Sequence, residues 1–559
     1  LIFQEYEFYG KLNLITFEFF ELEKFGLDDD LYIKMNARGK PLTKFENFKA
    51  TFEQLLKKVD PKLEKEFSRN IDNDWTNNFW KHKDENYLID NSFMNYFYYV
   101  SEMLYIKEIK VEKELSILEL RTLIPIIYSN KDNISFLFKA LNQLNLINEL
   151  NENIFCQYDS NLGKVPLFDK STNLLEKVIL NEKGNLINLQ QKIILFIIIN
   201  EYIVHAEKIN VFNLKDIIRV VRNLIERIRS LKQSQLRYTS TLKYENLHQI
   251  VNSFIGINEN IYTYLNQNSI NITGTQITKS SLLQEVNKAT IINKKPSLKE
   301  AISKFEDYHY LKGDLSNFIT ENISDLEYAC IEIPKIFESR DDYISRAMLS
   351  VGDYKVWRGW AGGNSKYFFG RKGYWDIILT SEKKFFFRKF LIQYKKHQES
   401  LEDMISSFIS KQAIKDWIYY FIKYDSILNP DNKLSNDRNE FAWYGNFSME
   451  KMGGTNLNAF HLNPYLKAVA IKSNIYYGVF KWDGYSILKI HGKIIEMSST
   501  EDGWKIKFSD SLDKKEKANL ITKFKLEEKS LDAYILKRNK EIDTINTACE
   551  FISNLNIKG

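Results

Sequence analysis

The chain has 559 residues, of which 78 are Lys or Arg and 73 are Asp or Glu, so its formal net charge is +5. Hydrophobic residues make up 44% and charged residues 27%, a balance that supports a large core and excludes wholesale disorder. With only 8 Pro and 22 Gly, the sequence predicts a mainly α-helical protein of several subdomains rather than a turn-rich β architecture. Its three scattered cysteines exclude a disulfide framework and favour a reducing, cytoplasmic setting.

The first sixty residues mix strand-like and helix-like patterns. Segments 15–22 and 31–36 are short and rich in aromatic or β-branched residues, which is typical of strands. Thr43 and Glu46 have capping-box spacing, and apolar residues at three- and four-residue steps follow until Pro61. We therefore expect residues 1–60 to form a partial α/β lobe that ends in a capped helix.

Helical periodicity dominates the chain that follows, and we expect a helical domain over residues 61–290. The longest apolar run, 193–199, is far below the ~20 residues that a membrane span requires, so it predicts a buried helix segment and no membrane partner. Helix 214–232 carries four arginines, for which a solvated face is the commoner explanation. They are Arg219, Arg222, Arg227 and Arg229.

A polar stretch at 284–297 marks the boundary of a second helical domain, predicted over residues 291–472. Six of the 22 glycines fall within 346–374, which predicts a loop-rich insertion that is also aromatic and basic. From 473 to 508 the hydrophobic period changes to two, as in a small β meander. A charged helical tail at about 512–556 completes the last predicted unit, residues 473–559.

A phosphate site is predicted where the second N-terminal strand turns into the capped helix. Gly39 permits a tight turn, and the N-terminus of a helix attracts anions. Asn36 and Arg38 could then project toward a phosphate. The alternative is that Asn36 and Gly39 only build the turn while Arg38 is solvated.

The same residues carry a family resemblance. The segment "NARGKPLTKFENFKA" resembles the second motif of the bacterial domain-of-unknown-function 262 family, the GmrSD-type proteins with a ParB/sulfiredoxin-like N-terminal lobe. The agreement is at Asn36, Arg38, Gly39, Leu42 and Lys49. Further segments that look like parts of larger members are "IDNDWTNNFW", "SFMNYFYYV", "RAMLSVGDYKVW" and "KDWIYYFIKY", with anchors at Trp75, Trp80, Arg346, Gly352, Asp353, Tyr354 and Trp417.

The resemblance implies a role in bacterial defence against foreign DNA. In such proteins the N-terminal lobe carries an Asp-Gly-Gln-Gln-Arg motif, which is associated with nucleotide hydrolysis or DNA cleavage. This sequence has no such motif, and we expect it to precede residue 1. An NTP and Mg²⁺ are therefore implied cofactors only through that missing segment, and the catalytic residues stay unassigned.

Segment 346–374 is the strongest nucleic-acid candidate in the sequence. It holds six basic residues and one acid, interleaved with seven aromatic residues. Basic side chains contact phosphates, and exposed rings stack on unpaired bases. We expect the DNA contacts to come from Lys355, Arg358, Lys366, Arg371 and Lys372. The alternative is that the aromatic side chains of this segment fill the core.

Two weaker patterns invite comparison with nucleases. His461 precedes Asn463 and Pro464, as in the His-x-x-Pro element of an HNH nuclease, but no second His lies nearby, so a packed His at a helix start is favoured. Asp376 and Glu382 have the spacing of a restriction-type Mg²⁺ site, yet their surroundings predict one continuous helix instead of paired strands. No cysteine lies at metal-site spacing from a histidine, so we expect no metal centre.

The sequence therefore predicts a restriction-type defence protein that acts on foreign or modified DNA, with DNA endonuclease or NTPase chemistry in the N-terminal lobe. A non-enzymatic alternative is a helical scaffold or sensor subunit that binds a protein partner or a second copy of itself. A nuclease centred on Asp376 and Glu382 is a third, weaker option.

Overall fold

The fold was analysed in a computed structural model. It describes Thr16 and residues 43–156, 163–169, 171–181, 187–205, 208–232, 237–240, 242–270, 275–319, 322–381, 383–431, 434, 436–453, 460–476, 480–481, 488–489, 495–510 and 512–555. The protein is 60% helix and 10% strand, which confirms the mainly α-helical class. The predicted phosphate site at Asn36, Arg38 and Gly39 lies outside the described residues, as does nearly all of the predicted α/β lobe.

Helices make up most of the chain between residues 44 and 307. They are α1 Lys44–Val59, α2 Pro61–Ile71, α3 Asp74–Phe79, α4 Asp90–Glu108, α5 Ile117–Ile127, α6 Lys131–Asn142, α7 Leu144–Ile154, α8 Leu174–Ile179, α9 Leu189–His205, α10 Val211–Glu226, α11 Leu247–Phe254, α12 Ile261–Gln267, α13 Lys279–Lys294 and α14 Lys299–Asp307. Two small strand pairs interrupt them: parallel β1 Phe155–Cys156 with β2 Val165–Pro166, and antiparallel β3 Arg229–Lys232 with β4 Arg237–Ser240.

Helix α1 belongs to the core of this helical body. The predicted capping box forms, because the Thr43 hydroxyl accepts a hydrogen bond from the Glu46 N–H and the Glu46 carboxylate accepts one from the Thr43 N–H. The aromatic face of the helix then packs inward, with the Phe48 ring 4.5 Å from Phe97 and the Phe52 ring 5.1 Å from Phe67. The chain therefore enters the helical body already at residue 44, before the domain boundary predicted after residue 60.

The apolar run 193–199 is confirmed as a buried helix segment. All seven of its residues are fully buried within α9. No helix among the described residues is long and apolar enough to cross a membrane. Helix α13 continues through residues 290 and 291 without a break, so the boundary predicted there falls inside a helix.

The second half of the chain combines helices with two antiparallel sheets. The helices are α15 Ile323–Ile336, α16 Asp341–Val351, α17 Asp376–Leu379, α18 Lys384–Lys396, α19 Leu401–Lys411, α20 Trp417–Lys423, α21 Asp425–Leu428, α22 Pro464–Lys472, α23 Lys514–Phe524 and α24 Thr544–Ser553. The strands are β5 Val356–Ala361, β6 Asn364–Phe368, β7 Glu440–Trp443, β8 Met449–Gly453, β9 Phe460–Leu462, β10 Phe480–Lys481, β11 Leu488–Lys489, β12 Ile495–Thr500, β13 Gly503–Phe508, β14 Glu527–Ser530 and β15 Ala533–Lys537.

The first sheet corrects the prediction of a loop-rich insertion at 346–374. Strands β5 and β6 form a hairpin at one edge of a six-stranded sheet whose order is β10-β9-β8-β7-β6-β5. The glycines that suggested a loop instead form the hairpin tip at Gly362 and Gly363, both with positive φ, and the turn after β6. Strands β7 to β9, which fall inside the predicted second helical domain, pair in sequence order after that hairpin.

The second sheet is larger than the predicted meander. Its order is β11-β12-β13-β15-β14, so two of its five strands come from the region predicted to be a helical tail. Strands β14 and β15 pair antiparallel, and β15 also pairs with β13. The tail prediction is therefore wrong over residues 527–537, although α23 and α24 flank that region as helices.

Buried charges connect three helices at the centre of the helical body. The guanidinium groups of α10 and of the residue that follows it meet carboxylates from α13 and α14, and every member of the group is buried or half-buried. We call this group the central charge cluster. Its members are Arg219, Arg222, Arg227, Glu285, Lys288, Glu306 and Asp307.

The central charge cluster overturns the prediction of a solvated arginine face on helix 214–232. Arg222 is fully buried, with its Nη1 atom 2.7 Å from Asp307 Oδ1 and its guanidinium 4.4 Å from the ring centroid of Phe168. Arg219 also pairs with Asp307, and Arg227 Nη2 lies 2.6 Å from Glu285 Oε1. Unpaired burial of these cations would be prohibitive, so the carboxylates allow α10 to pack with its arginines inside.

Candidate nucleic-acid interface

Strand β5 presents two tryptophan side chains to solvent. Trp357 pairs with Tyr367 and Gly359 pairs with Lys366, so Arg358 is an extra residue that forms a β-bulge. In a regular strand, residues three apart point to opposite faces, but the bulge changes this parity. Trp357 and Trp360 therefore share one face, with ring centroids 6.2 Å apart and exposures of 46% and 67%.

These two rings continue an aromatic face that begins in the core. Tyr367 on β6 stands beside Trp357 across the ladder, and its ring centroid is 5.8 Å from Trp443 on β7. Trp443 in turn makes an edge contact at 4.9 Å with Trp417 at the start of α20. We call these five rings, from Trp417 to the exposed Trp360, the aromatic ridge. Packing at its inner end fixes the orientation of the rings that reach solvent.

Lys355 places a positive charge inside the aromatic ridge. Its Nζ atom lies 4.7 Å from the ring centroid of Trp417 and 5.0 Å from each of Tyr367 and Trp443. Such positions over ring faces are favourable for a cation. The same ammonium pairs with the Asp353 carboxylate. Lys355 therefore acts as an internal cation for the ridge, and its charge is largely satisfied within the protein.

A pocket of about 380 Å³ opens beside Trp357. Its lining joins the start of β5 to the segment between α17 and α18, where the Lys383 Nζ atom lies 3.5 Å from the Lys355 carbonyl oxygen. The lining residues are Asp353, Lys355, Val356, Trp357, Tyr367, Ser381 and Lys383. A group that stacks on Trp357 would thus have polar and cationic side chains at its edge.

The structure separates the five basic residues predicted to contact DNA. Arg358 is 1% exposed, so it cannot reach a phosphate on the surface, and this correction follows from the bulge that turns it inward. Lys366 pairs with Glu440 at 3.1 Å, Lys355 lies in the aromatic ridge, and Arg371 is half-buried. Only Lys372 of this set has an exposed side chain. The segment therefore offers rings more than charge, which its composition alone did not reveal.

Gly370 anchors the hairpin to the helices behind it. Its φ is +79°, and a Cβ atom there would collide with the indole of Trp375. That indole is fully buried and donates a 2.8 Å hydrogen bond from its Nε1 atom to Asp341 on α16. The Gly370 carbonyl also accepts a hydrogen bond from the side chain of Asn439. The aromatic ridge is consequently mounted on a rigid support.

The nuclease-like patterns do not assemble a catalytic site among the described residues. His461 lies on strand β9 rather than at a helix start, and its Nδ1 atom is 2.5 Å from Glu450. Asp376 begins the short helix α17 and pairs with Lys312 at 3.0 Å, while Glu382 lies outside the described residues. The predicted continuous helix is instead broken between Leu379 and Lys384.

Metal and thiol chemistry find no support in the part of the chain that the structure describes. It holds no group of three or more His, Cys, Asp or Glu side chains that could bind a metal ion. The three cysteines are free thiols. Burial is the main cause that raises the pKa of Cys330 to about 12, which keeps that thiol protonated.

Comparison with known proteins yields no match: neither the protein-family models, the curated proteins nor the solved structures contain a significant relative of this chain. The resemblance to the domain-of-unknown-function 262 family thus depends on the quoted segments alone. The aromatic ridge and its neighbouring pocket are the features from which function must be argued.

Proposed function

We propose that the protein binds DNA with unpaired bases through the aromatic ridge. The observation that carries the proposal is the pair of exposed, mutually packed rings of Trp357 and Trp360 on a rigid strand. Proteins hold single-stranded nucleic acid by stacking bases on such rings, with each stacked base contributing about 1–3 kcal/mol. Lys383 at the pocket and the exposed Lys372 supply cationic contacts for the backbone.

We further propose that this binding serves a restriction-type defence protein that acts on foreign or modified DNA. The support is the resemblance at Asn36, Arg38 and Gly39 together with the base-stacking surface. In this proposal the helical body holds DNA, and endonuclease or NTPase chemistry belongs to the N-terminal lobe. Arg38 would face a phosphate there, while Asn36 and Gly39 shape the turn. An NTP and Mg²⁺ would supply the hydrolytic chemistry.

The test is fluorescence anisotropy with a labelled 15-nucleotide oligothymidine and with a duplex of the same length. The double variant Trp357→Ala/Trp360→Ala should weaken single-strand binding at least tenfold, because it removes two stacking rings. Trp80→Ala is a matched control, since Trp80 is also 46% exposed but lies in the helical body far along the chain. Equal affinity of the wild type and the double variant would refute the proposal.

A second candidate is a non-enzymatic scaffold or sensor subunit that binds a protein partner, including a second copy of the chain. The same observation favours it, because large exposed rings are enriched at protein interfaces. Sedimentation velocity over a concentration series distinguishes the two. A wild type that self-associates without DNA, and a Trp357→Ala/Trp360→Ala variant that does not, would support the scaffold.

A further inference from the structure

A basic cleft lies between helices α16, α18 and α19, separate from the residues of the aromatic ridge. Its volume is about 480 Å³. The end of α16 closes one side, and the facing surfaces of α18 and α19 form the others. The lining residues are Ser350, Val351, Lys389, Ile392, Gln393, Lys396, His397, Met404, Ser407, Phe408, Lys411 and Gln412.

The charge of this cleft has a single sign. Its lining contains three lysines and His397 but no Asp or Glu. Among the described residues, no carboxylate forms an ion pair with Lys389, Lys396 or Lys411, whereas most lysines of the central core are paired. Lys411 Nζ lies 2.9 Å from the Ser407 hydroxyl, a neutral partner. Like charges gathered in one concavity without counter-ions attract an anion.

Helix ends account for only part of this arrangement. Lys396 and Lys411 lie in the last turns of α18 and α19, where a cation is favoured by the helix dipole. Lys389 lies in the middle of α18, where that effect does not act. The dipole also gives no reason for lysines of two helices to line the same concavity.

The remaining lining suits the organic part of a ligand. Val351, Ile392, Met404 and Phe408 form an apolar wall, and the Ile392 side chain is 54% exposed. A volume of about 480 Å³ lies within the range of small-molecule sites, roughly 300–1,000 Å³. Serine and glutamine side chains complete the lining with neutral hydrogen-bonding groups that can fix a ligand's orientation.

We propose that this cleft binds a phosphate ester of about mononucleotide size, with its phosphates on Lys389, Lys396 and Lys411 and its organic part on the apolar wall. The proposal does not depend on DNA binding by the aromatic ridge. It uses none of the ridge residues, and therefore each can fail without the other.

The experiment is isothermal titration calorimetry of the full chain with ATP in metal-free buffer. The variant Lys389→Gln/Lys396→Gln/Lys411→Gln should weaken ATP binding at least tenfold. A matched control, Lys57→Gln/Lys58→Gln/Lys139→Gln, removes the same charge from lysines in the last turns of α1 and α6 and should bind like the wild type. Equal losses in both triple variants, or no ATP binding by the wild type, would overturn the proposal.

Two further arms identify the source of the phosphate. Inorganic tripolyphosphate should displace ATP but bind more weakly, because it has no group for the apolar wall. Tripolyphosphate that binds as tightly as ATP would overturn the assignment of that wall. Oligothymidine binding should be unchanged in the Lys389 triple variant. A variant that weakens oligothymidine but not ATP would show a DNA-backbone contact instead and overturn the small-molecule site.

Discussion

Glu306→Gln tests how much the central charge cluster contributes to stability. The substitution keeps the shape of the side chain and removes its charge. Glu306 is fully buried, with Lys288 Nζ at 2.7 Å and Asn223 Nδ2 at 2.9 Å, while Arg219 and Arg222 lie 3.6 and 3.7 Å away. The variant therefore leaves several buried cations with one carboxylate fewer.

The magnitude follows from the acidity of this carboxyl. Desolvation would raise its pKa, but the charges of Lys288, Arg222 and Arg219 outweigh it and lower the pKa from 4.5 to about 2. At 1.36 kcal/mol per pKa unit this difference corresponds to about 3 kcal/mol of folding free energy, at the lower end of the roughly 3–5 kcal/mol for a broken buried pair. Because the pKa is lower in the folded state, this stabilisation is complete above pH 4.5 and is lost as the pH falls toward 2.

The assay is urea unfolding followed by circular dichroism at several pH values. At pH 7 the Glu306→Gln variant should be about 3 kcal/mol less stable than the wild type, and the difference should shrink as the pH falls below 4.5. Glu300→Gln is a matched control on the same helix, because Glu300 is exposed and pairs only with Lys304; it should unfold almost like the wild type. A Glu306→Gln loss no larger than the control's, or one independent of pH, would refute the reasoning.

Two other substitutions and one pH profile test the sheet and the ridge. Burial is the main cause that lowers the pKa of Lys451 from 10.5 to about 8; wild-type stability relative to Lys451→Met should therefore rise between pH 8 and pH 10.5, by about 3 kcal/mol, in urea titrations. Lys355→Met should lower the thermal midpoint by removing about 1 kcal/mol of cation–π energy, whereas Lys355→Arg should retain most of it. Gly370→Ala should cost at least ~1–3 kcal/mol in chemical unfolding because of its positive φ and the indole of Trp375.

Local sequence signals predicted the helical part of the fold well. The capping box at Thr43 and the buried run 193–199 depend on residues close together in the chain, and both are confirmed. The buried arginines could not be predicted in this way. Arg222 finds its carboxylate at Asp307, 85 residues away, and without that partner an arginine-rich helix favours a solvated interpretation.

Composition drew attention to the aromatic residues of segment 346–374 but was misleading about its charged ones. Its glycines and a broken alternation concealed the hairpin. Whether Arg358 points inward depends on one extra residue in the ladder opposite Lys366, and periodicity contains no information about such a pairing. The basic cleft was missed for a related reason, since its lysines come from two helices that only the tertiary fold brings together.

The bulge at Arg358 also has a consequence for solubility. Strand β5 is an edge strand, and the unpaired backbone groups of an edge can template another chain into a continuous sheet. An added strand could pair regularly with β5 only over the short runs before and after the extra residue. The irregularity that turns two indoles outward thus interrupts the backbone ladder beside them. The protein can display a sticky pair of side chains without offering an edge on which copies would polymerise.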